Sequence, residues 1–224
     1  MKIAEVFYSV QGEGKLTGVP SVFIRTSGCN LRCKWCDTPY TSWTPEGSQR
    51  DVASLVAEAV ATGARHAVVT GGEPMIAPET PLLTEALHQN GMHVTIETAG
   101  TALAPVVCDL MSISPKLSNS TPDDPRWGPV HERTRLQFDV LGNLMASYPY
   151  QLKFVVAQPE DLDEILEVTG RLGAPAENVL LMPEGRSPET LRNRAQWLVP
   201  LCLQYGFRYS PRVHVDIWGD RRGV

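Results

Sequence analysis

Three of the five cysteines of this 224-residue chain lie close together, at Cys29, Cys33 and Cys36. Thiolates are the protein ligands that bind zinc and iron–sulfur clusters. The C-x3-C-x2-C spacing supplies three thiolates where a closed site needs four. An iron–sulfur cubane held by these three would keep one iron free for a ligand from outside the protein. The rest of the chain is organised around this loop.

Short apolar segments alternate with amphipathic ones along the chain, which predicts strands alternating with helices. The predicted strands are Glu5–Val10, Ser21–Arg25, His66–Thr70, Val94–Glu97, Leu110–Ser114, Gln151–Ala157, Asn178–Met182 and Val213–Trp218. The predicted helices are Val52–Val60 after the N-cap Asp51, Pro81–Asn90, Leu162–Leu172, and Pro188–Tyr205 after the N-cap Ser187. For residues 117–149 we predict a long loop with a helix near Arg133–Met145.

This alternation predicts an α/β fold with a parallel sheet and right-handed crossovers. About six core strands are fewer than a complete eight-stranded barrel needs, so we expect a partial, open α/β barrel with a reduced set of helices. No repeat or linker divides the chain, and we expect one domain over residues 1–224. Nearly every polar motif follows a strand, which places the motifs together at the C-terminal rim of the sheet.

Charge and hydropathy exclude several classes of protein. The formal net charge of −5 argues against a broad nucleic-acid or anionic-membrane surface. No apolar run approaches the roughly 18 residues of a membrane-spanning helix, and the first residues lack the apolar core of a signal peptide. An odd number of cysteines clustered in one loop does not indicate a secreted disulfide framework. We therefore expect a cytoplasmic protein with neither a nucleic-acid nor a membrane partner.

A structural zinc site, completed by a distant histidine or cysteine, is the main alternative for the three cysteines. The candidate histidines have no second ligand at a typical zinc spacing; they are His66, His88, His93, His131 and His214. The loop instead follows the first core strand and carries Trp35 between its last two cysteines. In both respects it resembles the radical S-adenosylmethionine (SAM) superfamily, which implies a 4Fe–4S cluster on Cys29, Cys33 and Cys36 and an open iron that chelates SAM.

Polar segments at three further strand ends complete this resemblance. Adjacent glycines in Thr70-Gly71-Gly72-Glu73-Pro74 let the backbone approach a ligand, and Glu73 can accept hydrogen bonds from an ammonium group. Lys116 suits a carboxylate and Ser114 a ribose hydroxyl. The resemblance assigns SAM contacts to Trp35, Asp37, Gly72, Glu73, Glu97, Ser114, Pro115 and Lys116.

The loop Val10-Gln11-Gly12-Glu13-Gly14 would ordinarily be interpreted as a tight turn, and Arg25 as a surface charge. Glu13, however, offers a carboxylate that matches the amino-pyrimidine edge of a purine- or pterin-like ring, and Gln11 both donates and accepts. Arg25 offers a fork for a substrate carboxylate. The predicted substrate-binding residues are Val10, Gln11, Gly12, Glu13, Arg25, Thr70 and His214.

Taken together, the segments Ser9–Gly14, Phe23–Arg25, Gly28–Thr38, Thr70–Pro74, Ile96–Thr98 and Ser114–Lys116 resemble the 7-carboxy-7-deazaguanine synthase family. The resemblance implies rearrangement of 6-carboxy-5,6,7,8-tetrahydropterin to 7-carboxy-7-deazaguanine with loss of ammonia. It also implies a flavodoxin-like electron donor and a homodimer. A 5′-deoxyadenosyl radical would take a hydrogen atom from C6 of the pterin. No side chain is assigned a catalytic role, because the protein positions the cofactor and excludes water.

Two assignments have a plain structural alternative. Thr38 could be an N-cap or turn residue, but the resemblance makes its hydroxyl a ligand of Mg²⁺, which prefers oxygen. His214 on an alternating strand could simply be packed or solvent-facing. The tail after Arg212 differs from the shorter tail of other family members, which leaves its role open.

Two rival functions remain possible from the sequence. A glycyl-radical-enzyme activase would need a groove for a protein loop and would give no reason for Gln-Gly-Glu-Gly or Thr38. A non-catalytic zinc or iron–sulfur module would show no response to SAM.

Overall fold

One nine-stranded sheet forms the framework of the computed structural model, which describes all 224 residues. Its strands are β1 (Lys2–Val10), β2 (Pro20–Thr26), β3 (Ser48–Gln49), β4 (His66–Gly71), β5 (His93–Thr98), β6 (Leu110–Ile113), β7 (Tyr150–Val156), β8 (Val179–Pro183) and β9 (Arg208–Tyr209). They are ordered β3-β1-β2-β4-β5-β6-β7-β8-β9. The edge strands β3 and β9 do not pair with each other, so the sheet is open, as predicted.

The strands from β2 to β9 in this order are mutually parallel, and β2, β4, β5, β6, β7 and β8 are the expected parallel core. β1 instead pairs antiparallel with both β2 and β3. The reason is the short connection between β1 and β2, since a parallel pair needs a crossover of about a dozen residues or more. β1 therefore extends the sheet at its edge.

Eight α-helices accompany the sheet. They are α1 (Pro39–Ser42), α2 (Val52–Ala61), α3 (Thr80–Gln89), α4 (Trp127–Thr134), α5 (Phe138–Ser147), α6 (Asp161–Leu172), α7 (Pro188–Tyr205) and α8 (Val213–Trp218). The predicted caps hold, because Asp51 accepts from the backbone N–H of Ser54 at 2.8 Å and Ser187 from that of Thr190 at 3.2 Å. α2, α3, α6 and α7 confirm the four predicted helices.

One prediction was correct only in part, and another was wrong. α5 confirms a helix near Arg133–Met145, but residues 117–149 also hold α4, where a loop was predicted. Residues 213–218 form α8 and not a terminal strand, since the backbone N–H groups of Val215 and Asp216 bond the carbonyl of Arg212 at 3.0 and 3.1 Å. Alternation over six residues cannot separate a strand from a short helix whose apolar side packs on other elements.

The core lies between the sheet and its helices, where thirty buried apolar residues form one cluster. A second, small apolar cluster joins Leu31 and Cys33 of the cysteine loop to Ala99 at the end of β5. None of the eight helices combines the length and the apolar character of a membrane span. The carboxyl ends of β2, β4, β5 and β6 lead directly into the polar segments, so the sheet brings these segments to one rim.

Candidate active site

A cavity of about 510 Å³ opens at this rim. It is lined by residues from the glycine-rich loop after β1, the cysteine loop after β2, the ends of β4, β5, β6 and β7, and the C-terminal tail. Every predicted site residue lines it except Glu73 and Pro115. The topology has therefore gathered residues that are far apart in the sequence around one space.

The three cysteines of the loop are free thiols that all line the cavity. Burial raises the pKa of Cys29 to about 11 and that of Cys33 to about 12, so both must lose a proton when they bind a metal. No group of three His, Cys, Asp or Glu side chains is arranged in this structure to hold a metal ion. Three thiols spread around a cavity suit a multi-iron cluster better than a closed, four-ligand zinc site.

The glycine pair after β4 fits closely against this loop. A Cβ on Gly72 would lie 2.1 Å from the carbonyl oxygen of Gly28 and 2.9 Å from the Cβ of Cys29. Only glycine therefore allows the two loops to approach this closely, and the backbone of Gly71 and Gly72 faces the cavity. A cofactor held at the cysteines would meet this backbone.

Glu73 lies behind the cavity rather than in its wall. Its carboxylate is fully buried and accepts hydrogen bonds from Thr98 Oγ1 at 2.7 Å and from the backbone N–H groups of Ala99 and Met75 at 2.8 and 3.0 Å. Burial raises the pKa of this carboxyl group despite these bonds. Glu73 thus ties the end of β4 to the end of β5, and contact of this segment with a ligand would come from the neighbouring backbone.

Trp35, Ser114 and Lys116 form one wall of the cavity. The Lys116 ammonium donates to Ser114 Oγ at 2.7 Å and lies 5.7 Å from the centre of the Trp35 ring. The indole N–H of Trp35 donates to the carbonyl of Asn119 at 3.1 Å, which fixes the plane of the ring. A flat aromatic face beside an ammonium and a hydroxyl suits a ligand with a ring, a carboxylate and a sugar.

Glu97 joins residues that the sequence assigned to different ligands. Gln11 Nε2 donates to one of its oxygens at 3.2 Å and Thr70 Oγ1 to the other at 2.9 Å. All three side chains line the cavity. Glu97, predicted to contact the cofactor, therefore lies beside two predicted substrate residues, at the boundary between the two halves of the cavity.

Glu13 is held by two cations that the sequence analysis did not single out. One oxygen pairs with Lys153 and the other accepts from Arg212 Nε at 2.9 Å, while His214 Nε2 lies 3.9 Å away. Burial opposes ionisation of Glu13, but Lys153, Arg212 and His214 outweigh it and hold its pKa well below the ordinary value. Glu13 is therefore a permanent acceptor, suited to the N–H donors of an amino-pyrimidine edge.

Arg25 lines the cavity with a guanidinium group whose two terminal nitrogens make no hydrogen bond within the protein. Its Nε donates to Glu5 at 2.6 Å, and Tyr40 donates to the same oxygen at 2.8 Å. Only Nε is engaged in a hydrogen bond within the protein, so the two terminal nitrogens are left for a ligand. This arrangement suits a substrate carboxylate.

Thr38 occupies the N-cap position of α1, yet its hydroxyl makes no capping hydrogen bond. The hydroxyl lines the cavity and lies 3.8 Å from the sulfur of Cys36. The capping interpretation therefore does not account for this side chain, and a hydroxyl beside the cysteines suits a hard cation such as Mg²⁺.

A buried histidine, His131, is hydrogen-bonded to the cysteine loop. His131 is 1% exposed; its Nδ1 accepts from the backbone N–H of Arg32 at 3.1 Å, and its Nε2 bonds Ser120 Oγ at 2.9 Å. Burial, together with the nearby Arg135, lowers the pKa of His131 to about 4, so the imidazole is neutral. Both ring nitrogens are occupied, which removes His131 as a candidate zinc ligand.

The residues that the sequence analysis missed carried unequal signals. Lys153 interrupts an apolar strand and is 4% exposed, and a charge inside such a run could have been recognised as paired. Arg212 carried no such signal, because it lies outside the predicted strands, where a charged residue is ordinary. Glu5 and Asn119 bond the predicted site residues Arg25 and Trp35, and neither pairing can be inferred from the local sequence.

Comparisons with known proteins give one consistent result. A sequence model described as "Radical SAM superfamily" matches residues 23–118. A 7-carboxy-7-deazaguanine synthase of Rhodopirellula baltica is 47% identical over 99% of this chain and 88% of its own length, and one of Halobacterium salinarum is 42% identical over 98% and 91%. The crystal structure of QueE from Escherichia coli superimposes with a TM-score of 0.69 at 28% identity, covering 95% of this chain and 94% of that one.

Proposed function

The chain belongs to the 7-carboxy-7-deazaguanine synthase family of the radical SAM superfamily, and we propose that its cavity rearranges 6-carboxy-5,6,7,8-tetrahydropterin to 7-carboxy-7-deazaguanine with loss of ammonia. One observation carries the proposal. The cysteine loop and the glycine-rich loop open into the same cavity, so a cofactor on the first would face a pterin on the second. The activase alternative is not favoured, since it gives no role to the Glu13 and Arg25 sites.

In the cofactor half, Cys29, Cys33 and Cys36 would hold the 4Fe–4S cluster. When bound, the cluster and SAM supply the one-electron chemistry that starts the reaction. Lys116 and Ser114 are placed to bind the carboxylate and ribose of SAM, and Trp35 offers a face for its adenine. The amino group of SAM would bind the backbone of Gly71 and Gly72, which lines the cavity.

In the substrate half, ionised Glu13 would accept hydrogen bonds from the amino-pyrimidine edge of the pterin. The free fork of Arg25 would bind the carboxylate, which fixes the other end of the ring system. Gln11, Thr70 and Glu97 lie between the two halves and would orient the ring toward the cofactor. The tail residue His214, 3.9 Å from Glu13, would complete this wall.

We propose Mg²⁺ as a third component, bound by the Thr38 hydroxyl together with oxygens of the substrate. The support is the uncapped hydroxyl in the cavity beside the cysteines. Magnesium commonly retains waters and takes ligands from its substrate, so one protein ligand is sufficient. A flavodoxin-like electron donor, a homodimer and a cytoplasmic location are further proposals, which rest on the family resemblance.

The test is anaerobic reconstitution with iron and sulfide, followed by incubation with SAM, reductant, Mg²⁺ and carboxytetrahydropterin. We expect a cluster whose EPR signal changes with SAM, and formation of the deazapurine acid with one ammonia released. Cys33→Ser should abolish the SAM response, whereas the matched control Cys108→Ser, outside the cavity, should keep it. A loaded cluster without a SAM response would overturn radical chemistry; SAM cleavage without deazapurine would overturn the substrate.

A further inference from the structure

Arg212, between β9 and α8, is bonded through all three nitrogens of its guanidinium group to different parts of the chain. Nε donates to Glu13 Oε1 at 2.9 Å, one terminal nitrogen to Asp37 Oδ2 at 2.5 Å, and the other to the carbonyl of Gly185 at 2.6 Å. These partners belong to the glycine-rich loop, the cysteine loop and the end of β8. The residue is 7% exposed, so its orientation is fixed by these bonds.

The two ion pairs of Arg212 differ in strength. The Glu13 side chain is 14% exposed and that of Asp37 is 46% exposed. Water screens the second pair more than the first, so Arg212 is held mainly by Glu13. Lys153 supplies the second cation, which makes the group of Glu13, Asp37, Lys153 and Arg212 electrically balanced.

Asp37 stands between Cys36 and Thr38, the proposed ligands of the cluster and of Mg²⁺. Lys153 bonds Glu13 but not Asp37, whereas Arg212 bonds both. Residues next to Arg212 also hold the glycine-rich loop, since the backbone N–H of Val213 donates to the carbonyl of Gly12 at 2.9 Å. A displacement of Glu13 is therefore transmitted to the end of the cysteine loop through one rigid guanidinium.

We propose that Arg212 is a positioning residue that couples the two halves of the cavity. A ligand that orders Glu13 orders Asp37 through the guanidinium, so binding in one half raises affinity in the other, and the coupling is reciprocal. The identity of the two ligands, pterin and SAM, rests on the proposed function. The link between the loops does not.

The first test measures the affinity of the cluster-loaded protein for SAM, with and without carboxytetrahydropterin. Coupled sites commonly change each other's affinity by about 5- to 150-fold, and we expect the pterin to tighten SAM binding within that range in the wild type. Arg212→Met should bring the ratio to about 1. Arg212→Lys should retain part of it, because an ammonium cannot bond both carboxylates with a planar fork. The matched control Lys153→Met should weaken pterin binding and keep the ratio.

The second test does not depend on the identity of either ligand. Hydrogen–deuterium exchange of the cluster-loaded protein should accelerate in both the glycine-rich loop and residues 29–42 in Arg212→Met, but only in the glycine-rich loop in Lys153→Met. A wild-type ratio in Arg212→Met, or unchanged exchange in residues 29–42, would overturn the inference. Failure of the wild type to bind the pterin would overturn the substrate instead, and exchange would still decide the role of Arg212. Should Arg212→Met not fold, Arg212→Lys carries both measurements.

Discussion

Gly72→Ala should be a severe substitution for its size. The new Cβ would lie 2.1 Å from the Gly28 carbonyl oxygen, while ordinary contacts begin near 3.4 Å. The neighbour is backbone and cannot rotate away, so the glycine pair and the cysteine loop must separate by roughly 1 Å, a displacement that alone can cost about 100-fold in rate. The substitution therefore acts on the relative position of the two loops that frame the cofactor half.

The loss of folding stability in Gly72→Ala is the difference between two opposing effects. Overpacking costs about 1–3 kcal/mol, and contact with rigid backbone puts Gly72→Ala at the upper end. The lower entropy of the unfolded chain offsets about 0.4–1 kcal/mol of this. A net loss of about 2 kcal/mol corresponds to a fall in Tm of about 4–8 °C for a chain of this length.

The assay is thermal unfolding together with iron uptake on anaerobic reconstitution. Gly142→Ala is the matched control, since Gly142 lies inside α5 with nothing within 4 Å of the new Cβ. We expect this control to be stabilised by about 0.5–1 kcal/mol, as alanine is favoured over glycine in helices. Wild-type Tm and full iron uptake in Gly72→Ala would refute the reasoning.

Three further predictions concern single side chains. Because the pKa of Glu13 is lowered in the folded protein, its ion pairs stabilise the protein fully above about pH 4.5, and this contribution is lost as pH falls below that value. In urea titrations at progressively lower pH, the free energy of unfolding of the wild type should therefore approach that of Glu13→Gln. A difference that stays constant with pH would contradict this. Thr38→Ala should raise the Mg²⁺ concentration needed for half-maximal activity by about 10-fold or more. It should not lower Tm, because the hydroxyl makes no capping bond. Thr38→Ser is the control, and an equal Mg²⁺ dependence in the two variants would show that Thr38 is not a ligand. His131→Phe leaves the backbone N–H of Arg32 without its acceptor, at about 1–3 kcal/mol, whereas the Ser120 hydroxyl keeps its bond to the carbonyl of Leu117. This variant should therefore speed bleaching of the cluster by a chelator, and His131→Asn, which retains an acceptor for Arg32, should be milder. Equal bleaching in wild type and His131→Phe would show that His131 does not act on the cluster.

Much of the site could be predicted from the sequence because its residues belong to short local motifs at strand ends. Cys29, Cys33 and Cys36 lie in one loop, and the polar residues after β4, β5 and β6 follow buried strands whose carboxyl ends must meet at one rim. The strand–helix alternation was strong enough to predict the parallel core and the open sheet. Local pattern and topology together were sufficient for these features.

What the sequence left undecided depends on pairing between distant segments. Nothing in the local sequence of Lys153 or Arg212 names Glu13 as a partner, and the fold joins them across 140 and 199 residues. Residues 213–218 were mispredicted because a short apolar alternation fits a strand or a helix, and the choice depends on tertiary contacts such as the bond from Val213 to the glycine-rich loop. Glu73 was expected in the cavity wall, but its three buried hydrogen bonds turn it into the tie between β4 and β5.

The sequence by itself therefore determined the three-cysteine loop, the rim on which it lies and the resemblance to the radical SAM superfamily, since these depend on residue type and spacing along single segments. Only the tertiary structure decided which carboxylates are paired, that the Thr38 hydroxyl does not cap α1, and how the C-terminal tail meets the glycine-rich loop. The physical reason is that charge pairing and burial are properties of three-dimensional neighbours, and those neighbours are set by the closing of the whole sheet around the cavity.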